Sequence, residues 1–155
     1  MKSGLWKQIL IDRDRCKMSA ERQSVILKTM YMLYDAELLV KMPLKCDLLS
    51  EKLNNVAIYG AGNVGERFAS FLKRRACKVD YFVDRKITCV SDGSISCYSP
   101  TEPLPMTQLL VVTAEYDYDD IAIMMANVLK CPVVALSDFL QEQLQAWSMK
   151  DEAIG

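Results

Sequence analysis

The sequence predicts an α/β protein: an open, doubly wound parallel sheet of about five strands in the order 3-2-1-4-5, preceded by a helical extension. Three observations predict it. Short, strongly apolar runs recur after Asn55, helical stretches separate them, and the first run enters a glycine-rich turn that opens a helix. Strands alternating with helices imply βαβ units, and right-handed crossovers between them give this open sheet with the Val56 strand central.

The chain divides near Asn54-Asn55, into a helical extension over 1–54 and an α/β part over 55–155. Ser19 to Met42 carries no Gly or Pro and reads as one long helix, with Ser19 as its N-cap. Pro43 stops it, because proline lacks an N–H and disfavours a helical conformation at Met42. Val25, Ile26, Met30, Met32, Leu33, Ala36, Leu39 and Val40 cannot share one narrow stripe, so this helix is expected to be apolar on two faces. One face packs on the following part. The other is either covered by the same chain or meets a second copy, making a homodimer. Leu44, Leu48, Leu49 and Leu53 lie at helical spacing and predict a second, shorter helix.

Val56 to Tyr59 is a short apolar run, as expected of a strand buried on both faces. Asn63 to Arg75 follows as a helix with Val64, Phe68, Phe71 and Leu72 on its inner side. Lys78 to Asp84 is the second strand. A turn-rich stretch around Asp92-Gly93 leads to a short strand near Ile95 to Tyr98. Gln108 to Ala114 is the fourth strand, Asp119 to Leu129 a helix with Ile121, Met124, Met125 and Val128 inward, and Pro132 to Leu136 the fifth strand. Ser137 caps a last helix to about Trp147.

The turn reads Gly60-Ala61-Gly62-Asn63-Val64-Gly65, a G-x-G-x-x-G spacing. Gly60 permits the tight turn, Gly62 lets a phosphate approach the backbone, and Gly65 lets the helix pack close to the strand. Free N–H groups and the helix dipole at Asn63 to Gly65 favour an anion. The motif alone is weak, but a strand before it and a helix after it raise its value. The alternative is a loop that holds its glycines for packing only. Asp84 lies 19 residues after Gly65, where a carboxylate can accept hydrogen bonds from a ribose. Arg85 and Lys86 follow it and read either as a 2′-phosphate contact or as solvated charges. The fourth strand delivers Thr113, Ala114, Glu115 and Tyr116 to the same strand ends. Tyr116 there can stack on a base and Glu115 can hold hydroxyls, or the acidic loop simply caps the next helix.

Val56 to about Leu140 resembles the NAD(P)-binding Rossmann-like superfamily, through "VAIYGAGNVGERFASFLK", "VDYFVD", "LLVVTAEYDYDDI" and "CPVVALSDFL". Its closest likeness is to small Rossmann-like modules in bacterial surface-polysaccharide proteins, which accompany transferase domains. The resemblance implies a nucleotide or nucleotide-sugar ligand, with NAD or NADP as possible cofactors. It covers a little over half the chain and leaves the long N-terminal helix outside.

Composition narrows the chemistry. There is no histidine among the 155 residues, which removes the commonest acid–base group near neutral pH. No tyrosine is followed four residues later by lysine, so the Tyr-x-x-x-Lys pair of short-chain dehydrogenases is missing. The expectation is therefore a binding module without its own complete catalytic site. The alternatives are a small NAD(P)-dependent oxidoreductase completed by dimerisation and a degenerate scaffold that has lost its ligand. A methyltransferase is a weaker option, since no strands are read after Leu136. The net charge of −1 offers no case for nucleic acid or an anionic membrane. No apolar run approaches the ~20 residues of a membrane span. The six cysteines include no C-x-x-C pair and are expected to be reduced, with no metal site. The chain reads as cytoplasmic.

Overall fold

A computed structural model of the chain describes the backbone of residues 2–41, 43–85 and 95–154, and the side chains of 20–41, 43–85 and 95–147. The sheet has five parallel strands: β1 (Asn55–Tyr59), β2 (Lys78–Val83), β3 (Cys97–Tyr98), β4 (Leu110–Val112) and β5 (Val133–Ala135). Their spatial order is β3-β2-β1-β4-β5, so β1 is central and the chain reverses direction of travel between β1 and β4. This is the expected order. The Asp92-Gly93 turn lies outside the described residues.

Alternation along β1 divides the interior. Val56 and Ile58 face one core, which they share with α1 (Lys2–Leu39), α2 (Asn63–Arg74) and α4 (Leu136–Ile154). Ala57 and Tyr59 face the other, beneath α3 (Tyr118–Ala126). Every residue of β1 from Val56 to Tyr59 is buried, as a central strand covered on both faces requires. Leu33, Ala36 and Val40 of the extension lie in the same cluster as Phe68, Phe71 and Phe139. The extension and the α/β part therefore share one core.

Several local expectations are corrected. α1 begins at Lys2, so Ser19 lies inside the helix and not at its N-terminus; residues 5–18 carry no Gly or Pro that would interrupt it. Its last helical residue is Leu39, short of Pro43. The guanidinium of Arg75 satisfies the end, donating to the carbonyls of Ala36, Glu37 and Val40 at 3.3, 3.0 and 3.1 Å. Leu44 to Leu53 forms no helix. Two of its backbone donors go instead to α4: Lys45 N–H to Gln143 Oε1 at 2.8 Å and Asp47 N–H to Glu142 Oε1 at 2.6 Å. Ser137 lies within the first turn of α4 rather than before it, and α4 continues past Trp147 to Ile154. Val128 falls beyond the end of α3 and is exposed. Cys97 is disulfide-bonded, whereas Cys46, Cys77 and Cys131 are free.

Candidate functional site

The C-terminal ends of β1, β2 and β4 meet at the glycine turn. Gly60 N–H donates to Val83 O at 2.8 Å, and Thr113 N–H to Tyr59 O at 2.9 Å. The chain reversal between β1 and β4 lies here, where open α/β sheets hold their ligands.

The three glycines differ in what requires them. Gly60 has φ +109°, and a Cβ on it would stand 2.2 Å from Thr113 Oγ1. A Cβ on Gly65 would stand 1.9 Å from the carbonyl oxygen of Gly60, so α2 can approach the turn this closely only without one. Gly62 is different. Its φ of −78° suits any residue, and a Cβ there would meet nothing within 4 Å. Gly62 is also the N-cap of α2 and makes no side-chain cap hydrogen bond. Serine or aspartate would cap the helix better. Nothing within the described protein asks for glycine at this position.

Asp84 stands beside the turn. Its Oδ2 accepts the Ala61 N–H at 2.9 Å, and its own N–H is held by Tyr98 O at 3.0 Å. The carboxylate is thus fixed at the mouth of the loop, next to the start of α2. Thr113 supports the turn from the β4 side: its hydroxyl donates to Tyr59 O at 2.9 Å. Ala114 follows, its backbone nitrogen 3.7 Å from the point where a Gly60 Cβ would lie. Gly60 to Gly65, Asp84, Thr113 and Ala114 are therefore brought together.

Glu115 and Tyr116 turn elsewhere. They form a 3-10 turn, Glu115–Asp117, that is tied to α1. Glu115 Oε2 accepts the buried Thr29 hydroxyl at 2.7 Å, and Oε1 accepts the Ser137 N–H at 2.5 Å, capping α4. The Tyr116 ring lies under the Arg22 guanidinium, 4.9 Å from its centroid. Arg22 also approaches Asp117 at 3.9 Å. Glu115, Tyr116 and Asp117 line a separate groove of about 510 Å³ with Val25, Lys28 and Asp119. Another groove, about 560 Å³, is lined by Gln108, Cys131 and Pro132, which precede β4 and β5, and so lies at the opposite edge of the sheet from the glycine turn.

Tyr59 was missed by sequence reasoning. It is the last residue of β1 and 4% exposed, yet its hydroxyl has no hydrogen-bond partner among the described residues. Such groups are rare and costly. Burial pushes its phenol up; Arg85 stands near enough to oppose that shift without reaching hydrogen-bond geometry, and the Asp84 and Asp117 charges add to the rise. Arg85 itself is exposed, and Lys86 is outside the described residues. The only sequence signal for Tyr59 is a polar tip on an otherwise aliphatic strand, directly before the first glycine.

No group of three or more His, Cys, Asp or Glu among the described residues could hold a metal ion. No helix among them is long and apolar enough to cross a membrane. Comparison with family models, curated proteins and solved structures finds no match to this chain.

Proposed function

We propose that the chain is a nucleotide-binding module that takes a nucleotide or nucleotide-sugar, with the phosphate at the start of α2. The observation that carries this reading is Gly62: an open, uncapped helix N-terminus where neither backbone conformation nor packing calls for glycine. A phosphate approaching the N–H groups of Asn63 to Gly65 would supply the missing reason. Asp84, held 2.9 Å from the Ala61 nitrogen, is positioned to accept ribose hydroxyls. The Tyr59 hydroxyl offers a buried donor at the same strand ends. NAD or NADP fits these residues as well as a nucleotide-sugar does; a bound nicotinamide would bring hydride chemistry.

Binding without turnover is the preferred form of the reading. The Tyr59 phenol is raised by burial, the opposite of the shift that a tyrosine base needs. A link to surface-polysaccharide biosynthesis rests on the sequence resemblance alone. The test is a thermal-shift screen against NAD, NADP, UDP-sugars, GDP-sugars, coenzyme A and S-adenosylmethionine. A ligand at 100 times its dissociation constant adds about 2.7 kcal/mol, and the expected shift is confined to one class and lost in Gly62→Asp. No shift with any of them would leave a scaffold and reject the proposal.

A further inference from the structure

The described part of α1 presents two apolar stripes. Thr29, Leu33, Ala36 and Val40 are buried against the rest of the molecule. Leu27, Tyr31, Tyr34 and Leu38 form the second stripe and are 56%, 70%, 59% and 65% exposed. Large exposed apolar side chains elsewhere are scattered singly over several elements, whereas α1 gathers these four, with Ile26 and Leu39 beside them. Their spacing of four, three and four residues is the heptad seam of a coiled coil. A stripe this continuous marks an interaction surface.

We propose that this stripe pairs with the same stripe of a second copy of the chain, antiparallel, about a twofold axis between Met32 and Leu33. The seam is self-complementary in that orientation. Leu27 meets Leu38 of the second copy and Tyr31 meets its Tyr34, so leucine faces leucine and tyrosine faces tyrosine, as an isologous interface demands. The flanking charges select the direction. Lys28 and Asp35 are exposed, seven residues apart, each immediately after a seam residue. In an antiparallel pair that flank meets itself, and Lys28 lies against Asp35 of the second copy twice over. In a parallel pair the flank would meet the one carrying Met30 and Glu37, and no opposite charges would face each other. Glu37 is in any case held by Arg74 of its own chain at 3.0 Å. The inference is independent of the glycine site.

The test uses the full chain in sedimentation velocity over a concentration series. A dimer is expected. Tyr31→Glu/Tyr34→Glu should be monomeric with an unchanged far-UV spectrum and cooperative melting, because both residues are exposed in the isolated chain. Ile123→Glu, on α3 and 69% exposed, should remain dimeric. Lys28→Glu should raise the dimer dissociation constant severalfold, and Lys28→Glu/Asp35→Lys should restore it. Mixed Leu27→Cys and Leu38→Cys chains should form a disulfide-linked heterodimer, while neither alone links to itself above the background of the parent protein. A wild-type monomer at the highest concentration, or a dimer that survives Tyr31→Glu/Tyr34→Glu, would overturn the proposal. Self-linking of Leu27→Cys alone would overturn the antiparallel pairing.

Discussion

Replacing Gly62 by aspartate should make the ligand-free protein more stable while removing its phosphate site. The gain can be worked from the structure. Gly62 already has extended backbone angles, φ −78° and ψ −164°, so a side chain introduces no strain there, and its Cβ enters open space. Removing glycine's freedom from the unfolded chain contributes about 0.4–1 kcal/mol. A capping oxygen on the first N–H groups of α2 adds a few tenths over glycine. The helix dipole adds about 0.3–1 kcal/mol for the charge, partly offset by the Asp84 carboxylate next door. The sum is about 1 kcal/mol, or about 2–4 °C in Tm for a domain of this size. Gly62→Ser isolates the cap from the charge and should also stabilise. A carboxylate ~4 Å from a bound phosphate costs about 1–4 kcal/mol between water-like and surface-like dielectrics, so Gly62→Asp should lose ligand where Gly62→Ser keeps part of it. Differential scanning fluorimetry with urea titration measures both effects. A fall in Tm of several degrees for either variant without ligand would refute the reasoning, because packing would then account for the glycine.

Four further outcomes are expected. Gly65→Ala should destabilise by about 3 kcal/mol or more, since its Cβ would meet the Gly60 carbonyl at 1.9 Å and backbone must move; a chemical melt within 1 kcal/mol of wild type, on the order of routine surface changes, would contradict the close approach. Tyr59→Phe should stabilise the ligand-free protein by about 1 kcal/mol, because it removes a buried hydroxyl that has no partner among the described residues, and a lower Tm would show that the hydroxyl has a partner. Arg75→Met should cost about 2–3 kcal/mol by urea melting, as the α1 carbonyls lose a charged donor and the Phe71 ring loses the guanidinium stacked on it. Burial raises the Glu142 carboxyl above its ordinary value, against the Asp47 N–H that favours its charge. Its stabilising contribution is therefore complete below the ordinary carboxyl range and lost as pH rises through the raised value. Glu142→Gln, which keeps an acceptor for Asp47, should gain stability at pH 7 and lose that advantage on acidification; a gain independent of pH would exclude the charge as its source.

What the sequence disclosed follows from how locally each feature is determined. The strands were legible because Val56 to Tyr59 and Leu110 to Val112 are buried on both faces, and such strands cannot hide their apolarity. The sheet order followed from strand–helix alternation and crossover handedness. Leu44 to Leu53 misled because its leucines keep helical spacing, while its Lys45 and Asp47 amides are tied to two α4 side chains nearly one hundred positions away, contacts that only the fold makes. The glycine turn, with the tight turn at Gly60 and the close packing at Gly65, was legible from spacing together with the strand before it and the helix after it. The partners were not, because Gly60 and Gly65 answer to Thr113 and to the Gly60 carbonyl, contacts that only the fold makes.

Glu115 shows where sequence position and structural duty part. By order along the chain it follows β4 to the strand ends, beside Thr113 and Ala114. Its carboxylate instead joins Thr29 of α1 to the first turn of α4. A charge at the N-terminus of α4 is stabilising there, and the bond to Thr29 fixes α1 along the same edge. Three helix N-termini thus stand at the C-terminal side of one sheet, at α2, α3 and α4. The protein caps α4 with the Glu115 carboxylate, opens α3 with Asp117, Asp119 and Asp120, and leaves α2, behind Gly62, without a side-chain cap. The carboxylates at α3 and α4 disfavour an anion supplied from outside at those two ends, and the Glu115 carboxylate is what makes α4 unequal to α2. Glu115→Gln keeps one acceptor, for the Ser137 N–H, and replaces the other with an NH2 whose hydrogen bond the Thr29 hydroxyl can accept while it donates to Val25 O; with the charge removed, it should lower Tm modestly and leave binding at the glycine turn unchanged. A loss of nucleotide binding in that variant, with the melt intact, would return Glu115 to the ligand site.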